Sequence, residues 1–428
     1  MKNILVLFAQ AADLRQLLRL SSQHAQGYRF YYEGFDLFQF PSNATLLWFD
    51  IYQFVGRLAE KYRSTKLDAI ISTHEQFGAL AASLLAERIG LQAMSTRALL
   101  NAQHKGLARQ LLQRHVPAAN VPFVTFPYTV KSADEIALPF PFYTKPVKAA
   151  FSVLARRVDS FAELQQHINF QPWETFIIKR LVRPFNDVVE RLGASDINGH
   201  QMIAEQLIDG VQVNVDGFVE QGRIHVLGVI DAVMYPGTDA FLRWEYPSRL
   251  AKPFLDTIHR LTEAVVAALG LDHGLFNVEF RLDERTGSCK VIEVNPRMAR
   301  QFSDIYEAVD GINLHALAIR LALGEPSDIA RLQAAGGEYK FATSFVYRRF
   351  DGKPQHHFPG AAEIAALVDF DPKAQLITFE KRGGGLKREL RWLQSYRYAL
   401  LNMAADSAAE LTEKYRRASA ILGFPTHP

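Results

Sequence analysis

The sequence predicts a mixed multidomain protein: a doubly wound α/β layer followed by α+β material. Three observations carry this. In the first hundred residues, short apolar runs alternate with segments of helical spacing, the pattern of a parallel sheet covered by helices. From Pro122 onward short strands dominate, with few helices between them. A length of 428 residues, at roughly 150 per domain, suggests about three domains.

Lys2–Phe8 (KNILVLF) reads as a buried parallel strand, and Leu14, Leu17, Leu18 and Leu20 mark the helix after it. Phe30–Phe40 reads as a strand with its turn, Ile51–Tyr62 as a helix, Leu67–Ser72 as a strand, and Phe77–Ile89 as a helix ending before Gly90. The first strand–helix turn lacks a G-x-G-x-x-G fingerprint, so this layer is not an obvious dinucleotide site. Ala98–His115 reads as one helix stopped by Val116-Pro117. Strands are then expected at Phe140–Val147, Val153–Val158, Glu174–Leu181, Met202–Leu207, Val211–Glu220 and Arg223–Val233. Leu275–Leu282 and Lys290–Val294 continue the series, with helices near Phe161–Ile168 and Leu255–Ala268. Asn313–Leu323 reads as a helix ended by Gly324 and Pro326. The last part returns to strands at Phe341–Phe350 and Gln375–Glu380, and closes with a helix over Ala408–Leu422.

Composition narrows the function classes. Lysine plus arginine (48) nearly balances aspartate plus glutamate (45), which argues against a dedicated nucleic-acid binder. The single cysteine, Cys289, excludes intrachain disulfides and a cysteine-based zinc cluster. No run approaches the ~18 uncharged apolar residues of a membrane span, and Ile4–Ala9 is too short for a signal segment. A reducing, cytoplasmic location is expected.

The most informative segment is Phe276–Met298, two alternating strands about the turn D-E-R-T-G-S. Folded symmetrically about Thr286, it places Glu279 opposite Glu293, with Asn295 on the same face. Opposed carboxylates repel and weaken a sheet. A divalent cation between them removes that cost, and hard oxygen ligands suit magnesium with substrate phosphates. Two glutamates on a solvated strand face are the plainer reading, and a one-residue slip in register separates the two.

The string V-I-E-V-N-P-R (291–297), preceded by N-V-E-F (277–280), resembles the metal-binding signature of the ATP-grasp superfamily. Y-T-K-P-V (143–147), A-E-Q-L-I-D-G-V-Q-V-N-V-D-G (204–217) and K-G-L-A-R-Q-L-L from Lys105 agree with it in order and spacing. The resemblance implies an N-terminal Rossmann-like pre-ATP-grasp domain over 1–104. A central ATP-grasp domain would span 105–330, with a hinge near 205–210, and a small C-terminal α+β closing domain 331–428, similar to that of biotin carboxylase and amino-acid ligases.

For the site, the resemblance makes Lys145 and Lys105 ligands of ATP phosphates. It sets Glu205, Gln206, Leu207 and Ile208 against adenine and Gln212 against ribose. Magnesium or manganese would be held by Glu279, Glu293 and Asn295. Arg297 would orient an acyl phosphate, and Lys145 would share in catalysis. The family's glycine-rich flap is here K-A-A-F-S (148–152), without glycine, so its part as a phosphate lid is open, although Ser152 is able to donate to phosphate. Met298-Ala299-Arg300-Gln301 stands where relatives often have glycines, implying a differently shaped acceptor site.

Arg243 and Arg300 are candidates for a substrate carboxylate, and Glu75, in the loop after a parallel strand, for an ammonium; for each the surface-residue reading is the plainer one. Glu380–Arg397 holds six basic residues against two acidic ones, a solvated face or a steering patch. The expected activity is an ATP-dependent carboxylate–amine ligase joining small molecules through an acyl phosphate, with release of ADP and phosphate. A biotin-carboxylase-like enzyme activating bicarbonate and a non-catalytic ATP-binding module are the alternatives. Expected partners are a small-molecule carboxylic acid and an amine, not nucleic acid or membrane; the resemblance leaves a homodimer open.

Overall fold

The computed structural model describes residues 1–23, 27–36, 42–74, 77–149, 154–193, 197–380 and 395–426. Among these residues three sheets organise the fold. β1 (Lys2–Leu7), β2 (Tyr28–Glu33) and β3 (Ala69–Ile71) form a parallel sheet with β1 in the centre. Ile4 to Leu7 of β1 are buried on both faces, as expected of a strand covered by helices on either side.

A second, antiparallel sheet contains β4 (Phe123–Pro127), β5 (Phe142–Pro146), β6 (Arg156–Val158) and β7 (Gln201–Gln206), in the order β4-β7-β5-β6. The third has eight antiparallel strands: β8 (Val211–Glu220), β9 (Arg223–Met234), β10 (Phe241–Tyr246), β11 (Gly274–Asp283), β12 (Ser288–Asn295), β13 (Phe341–Arg349), β14 (Gln375–Thr378) and β15 (Tyr396–Ala405). Its order is β12-β11-β8-β9-β10-β13-β15-β14. The strands after residue 330 thus hydrogen-bond directly onto β10 through β13. One apolar cluster, including Leu7, Leu85, Val265 and Phe280, joins the first layer to the large sheet.

The second and third sheets meet at a short connection, 207–210. Gly210 has φ +106, and a Cβ there would lie 2.1 Å from the Leu282 carbonyl oxygen. Only glycine fits so close to another backbone at that φ.

Three readings of the sequence are corrected. Glu174–Leu181 is not a strand but part of the helix Pro172–Arg191. Pro172 opens that helix, the Glu174 carboxylate accepts from the Gln171 N–H at 2.9 Å, and Val182, Phe185, Val188 and Val189 continue one buried face. The β-branched run mimicked a strand, but the longer period is helical. The single helix expected over Ala98–His115 is two, Thr96–Gln103 and Lys105–His115. His104 leaves the helical region, and its Nδ1 accepts from the Leu107 N–H at 3.0 Å, capping the second helix. The hairpin does not fold symmetrically about Thr286: Asp283 pairs with Ser288, and one extra residue enters further along.

β4, β10, β15 and the helices Ser303–Asp310 and Ala361–Phe370 had no counterpart in the sequence reading. Among the described residues no helix is long and apolar enough to cross a membrane.

Candidate active site

β11 and β12 carry the acidic pair. Asn277 pairs with Asn295 and Glu279 with Glu293, whereas Phe280 pairs with Val291. Ile292 is therefore the extra residue of a β-bulge, a device that re-aims neighbouring groups. The symmetric fold and the bulged fold agree at the carboxylates because the bulge restores the register that the turn had shifted. Glu279, Glu293 and Asn295 all line a cleft of about 2140 Å³ between the sheets.

Donors surround the two carboxylates. Lys105 Nζ lies 2.9 Å from Glu293 Oε1 and donates to the Ala149 carbonyl at 3.0 Å. Glu279 accepts from Gln212 Nε2 at 3.0 Å and from Asn295 Nδ2 at 3.3 Å. The amide chain continues through Asn277, which accepts from Asn214 and Asn295 and donates to Asp216 Oδ1 at 3.2 Å. Burial pushes the Asp216 carboxyl up to about 7, against hydrogen bonds from Asn277 and Tyr306 and the charge of Arg297.

Lys145 is placed by β5 and Glu205 by β7. Tyr143 is the direct partner of Glu205, so Lys145 stands on the diagonal, within reach of a long side chain. Lys145 Nζ lies 2.9 Å from Glu205 Oε2, and Arg109 Nε lies 2.8 Å from Glu205 Oε1. All three are buried. Burial alone would raise the Glu205 carboxyl; Arg109 and Lys145 outweigh it and hold the group down at about 2. Arg109 also donates to Asn120 Oδ1 at 3.2 Å. Lys145 donates to the Ile292 carbonyl at 3.0 Å, and Arg109 reaches the same oxygen at 3.4 Å. The carbonyl of the bulged residue thus ties both cations to the acidic hairpin.

Gln206, Leu207, Ile208 and Gln212 line the same cleft, beside Tyr143 and Lys148. Arg297 and Arg300 line it from the segment after β12. Arg297 donates to the Met298 carbonyl at 3.2 Å. Arg300 reaches Asp13 Oδ2 at 3.0 Å and also donates to Gln10. Asp13, on the helix Ala11–Gln23 of the first layer, is 1% exposed and also meets His315 Nε2 at 3.0 Å and the Thr73 hydroxyl at 3.0 Å. Burial alone would raise its carboxyl; His315, Arg300 and the Gln10 N–H outweigh that and hold it at about 2.

The structure does not bring Arg243 to this cleft. Trp244 of β10 lines it, and strand alternation turns Arg243 to the opposite face, where it pairs with Glu245 at 2.8 Å. Glu75, Ser152 and, from the basic run, Lys381, Arg382, Lys387, Arg388 and Arg391 lie outside the described residues. Sequence reasoning missed Arg109, Asn277, Asp216, Asp13 and His315. Arg109 was within reach, because it follows Lys105 by one helical turn and shares its face. Asp13 and His315 are 302 positions apart and meet only in the fold.

A two-sheet clamp with lysines on one side and a carboxylate hairpin on the other defines an ATP-grasp architecture. Residues 138–304 match the family model for the ATP-grasp domain, and the chain carries that domain. Among curated proteins it is similar to the carbamoyl phosphate synthase large chain of Micrococcus luteus, at 30% identity over 149 residues, which is 33% of this chain and 13% of that protein. The Thermoanaerobacter sp. counterpart is 26% identical over 213 residues, covering 48% of this chain and 17% of that protein. The chain therefore spans less than a fifth of these relatives' length. Among solved structures, L-amino acid ligase from Bacillus licheniformis has a TM-score of 0.68 at 19% identity, covering 99% of this chain and 98% of that one. Biotin carboxylase from Campylobacter jejuni has a TM-score of 0.62 at 14% identity, covering 98% and 91%. These likenesses show a shared fold along the whole chain.

Proposed function

We propose that the protein is an ATP-dependent carboxylate–amine ligase acting on small molecules. One observation carries the reading: the opposed pair Glu279–Glu293 faces a cleft that also holds Lys105, Lys145, Gln206, Leu207, Ile208 and Gln212. The carbamoyl phosphate synthase and amino-acid ligase likenesses support it.

The donor set fits a hard divalent cation. Two carboxylates meet across a ladder, and their mutual repulsion is answered here by Lys105, Gln212 and Asn295. Glu279, Glu293 and Asn295 would hold magnesium or manganese, which when bound supplies neutralisation of β- and γ-phosphate charge. Among the described residues no group of three or more His, Cys, Asp or Glu stands together to hold a metal ion; the set proposed here is two carboxylates and an amide.

The remaining steps fall to the chain's own groups. Gln206 to Ile208 and Gln212 bind the adenosine end. Lys105 and Lys145 neutralise phosphate oxygens, as phosphoryl transfer demands alignment and charge compensation above covalent help. Lys145 arrives pre-positioned, because Glu205 and the Ile292 carbonyl fix its ammonium. A substrate carboxylate attacks the γ-phosphorus, giving an acyl phosphate and ADP. Arg297 orients that anhydride; the amine then attacks the carbonyl carbon and phosphate leaves. In this reading residues 1–104 supply part of the acceptor pocket through Asp13, which holds Arg300 of the central domain, residues 105–330 bind ATP, and 331–428 close the cleft.

The test is ADP release with acids and amines supplied singly and in combination. Ligation requires both substrates, and a mass equal to acid plus amine minus water must appear. Release dependent on bicarbonate and biotin would support the carboxylase alternative. Nucleotide binding without any turnover would support a binding module.

A further inference from the structure

The large sheet contains a second pair of like charges facing each other. Arg348 on β13 and Arg397 on β15 are direct cross-strand partners. Tyr347 pairs with Ala399, so Tyr398 is an extra residue on β15. The bulge shifts the alternation of the strand by one. Tyr396 and Tyr398 pack with Ala399, Leu401 and Met403 in one core, while Arg397 is turned to the side of Leu400 and Asn402. Arg348 and Arg397 both line the cleft.

Two guanidinium groups directly opposed weaken a sheet, and among the described residues no carboxylate pairs with them. Arg348 donates to the Ser395 hydroxyl at 3.0 Å, and its Nε is buried without a hydrogen-bond partner. Arg397 lies over the Phe379 ring at 4.2 Å. Burial, with Arg348 and Arg300 nearby, lowers the Arg397 guanidinium to about 9. Arginine is the side chain whose planar fork matches carboxylate and phosphate oxygens.

Resting on the ligase reading, we propose that Arg348 and Arg397 bind an oxyanion group, carboxylate or phosphate, carried by one substrate in addition to the groups that react. Position supports the separation. In sheet order β8, β9 and β10 lie between β11 and β13, roughly 20 Å along the sheet at strand spacing. In this proposal the group held there is a second one, distinct from that activated beside Glu279 and Glu293. The substrate therefore has charge at both ends: an acid or amine that also bears a second anionic group.

The test uses the full chain saturated with magnesium and a non-hydrolysable ATP analogue, which fills the nucleotide site. Inorganic phosphate and succinate are titrated by calorimetry into the wild type, Arg397→Gln and Arg348→Gln. The expected result is that at least one probe binds the wild type and binds each variant at least tenfold more weakly, with analogue affinity within twofold. Tighter phosphate identifies a tetrahedral dianion as the group; tighter succinate identifies a carboxylate. Failure of both probes to bind at millimolar concentration, or equal binding in the variants, overturns the proposal. Melting temperature separates a structural role: relief of like-charge repulsion predicts variants that melt no lower than the wild type, whereas lower melting with unchanged anion binding overturns the proposal. If the analogue does not bind at all, the ligase reading fails, and the difference between wild type and variants still reports the arginine pair.

Discussion

Glu279 and Glu293 are direct partners on adjacent antiparallel strands, and Ile292, the residue beside the pair, is the extra residue of a bulge whose carbonyl accepts from Lys145. The acidic pair and the buried cations are thus fixed by one local distortion of β12. Glu293→Gln removes one charge from the pair but keeps the shape. ADP release is expected to fall at least a hundredfold while melting shifts by only a few degrees, because Glu293 is partly open to the cleft. Turnover close to wild type would remove the metal assignment.

Glu205 neutralises two buried cations at once. Glu205→Gln leaves Arg109 and Lys145 buried beside a neutral amide, and breaking such a pair costs about 3–5 kcal/mol. Urea unfolding is expected to show a loss of that order. Arg109→Met and Lys145→Met should each be milder in stability, and only the lysine change should also abolish turnover.

Acid should weaken the junction at Asp13. Its carboxyl lies at about 2 in the fold against 3.8 when unperturbed, so its contribution is complete above about 4 and is lost as pH falls toward 2. At 1.36 kcal/mol per unit this amounts to about 2 kcal/mol. Unfolding midpoints of wild type and Asp13→Asn, measured from pH 6 down to pH 2, are expected to converge. A constant gap across that range would contradict the assignment.

Gly210→Ala places a methyl group against the Leu282 carbonyl in a left-handed backbone. Destabilisation well above about 1 kcal/mol is expected, together with weaker binding of a fluorescent ATP analogue, because the connection carries Gln206 to Ile208. A variant equal to wild type in both measurements would show that the backbone there moves freely.

Arg243 faces away from the cleft. Arg243→Ala is expected to leave KM and kcat for every substrate within twofold. A selective rise in one KM would return it to the substrate site.

Local pattern made much of the site legible. Symmetry about Thr286 predicted the Glu279–Glu293 pair, which forms because the bulge at Ile292 offsets a turn that the symmetry misplaced, and the apolar run around Lys145 marked that lysine as unusual. What escaped was created by pairing between distant segments. Arg348 and Arg397 lie 49 positions apart on strands of which one, β15, had no counterpart in the sequence reading. Nor does any periodicity announce a bulge, since one extra residue alters register without altering composition. The helix Pro172–Arg191 was misread over Glu174–Leu181 because Phe176, Ile177 and Ile178 imitate a strand when the window is short.

The contact of Asp13 with Arg300 and His315 spans nearly 290 positions of chain or more. A fragment trimmed of its first hundred residues would strand a guanidinium and an imidazole whose shared acceptor had been cut away. Anyone seeking a minimal, crystallisable version of the protein should therefore retain the N-terminal layer, or replace those two donors with apolar residues at the same time.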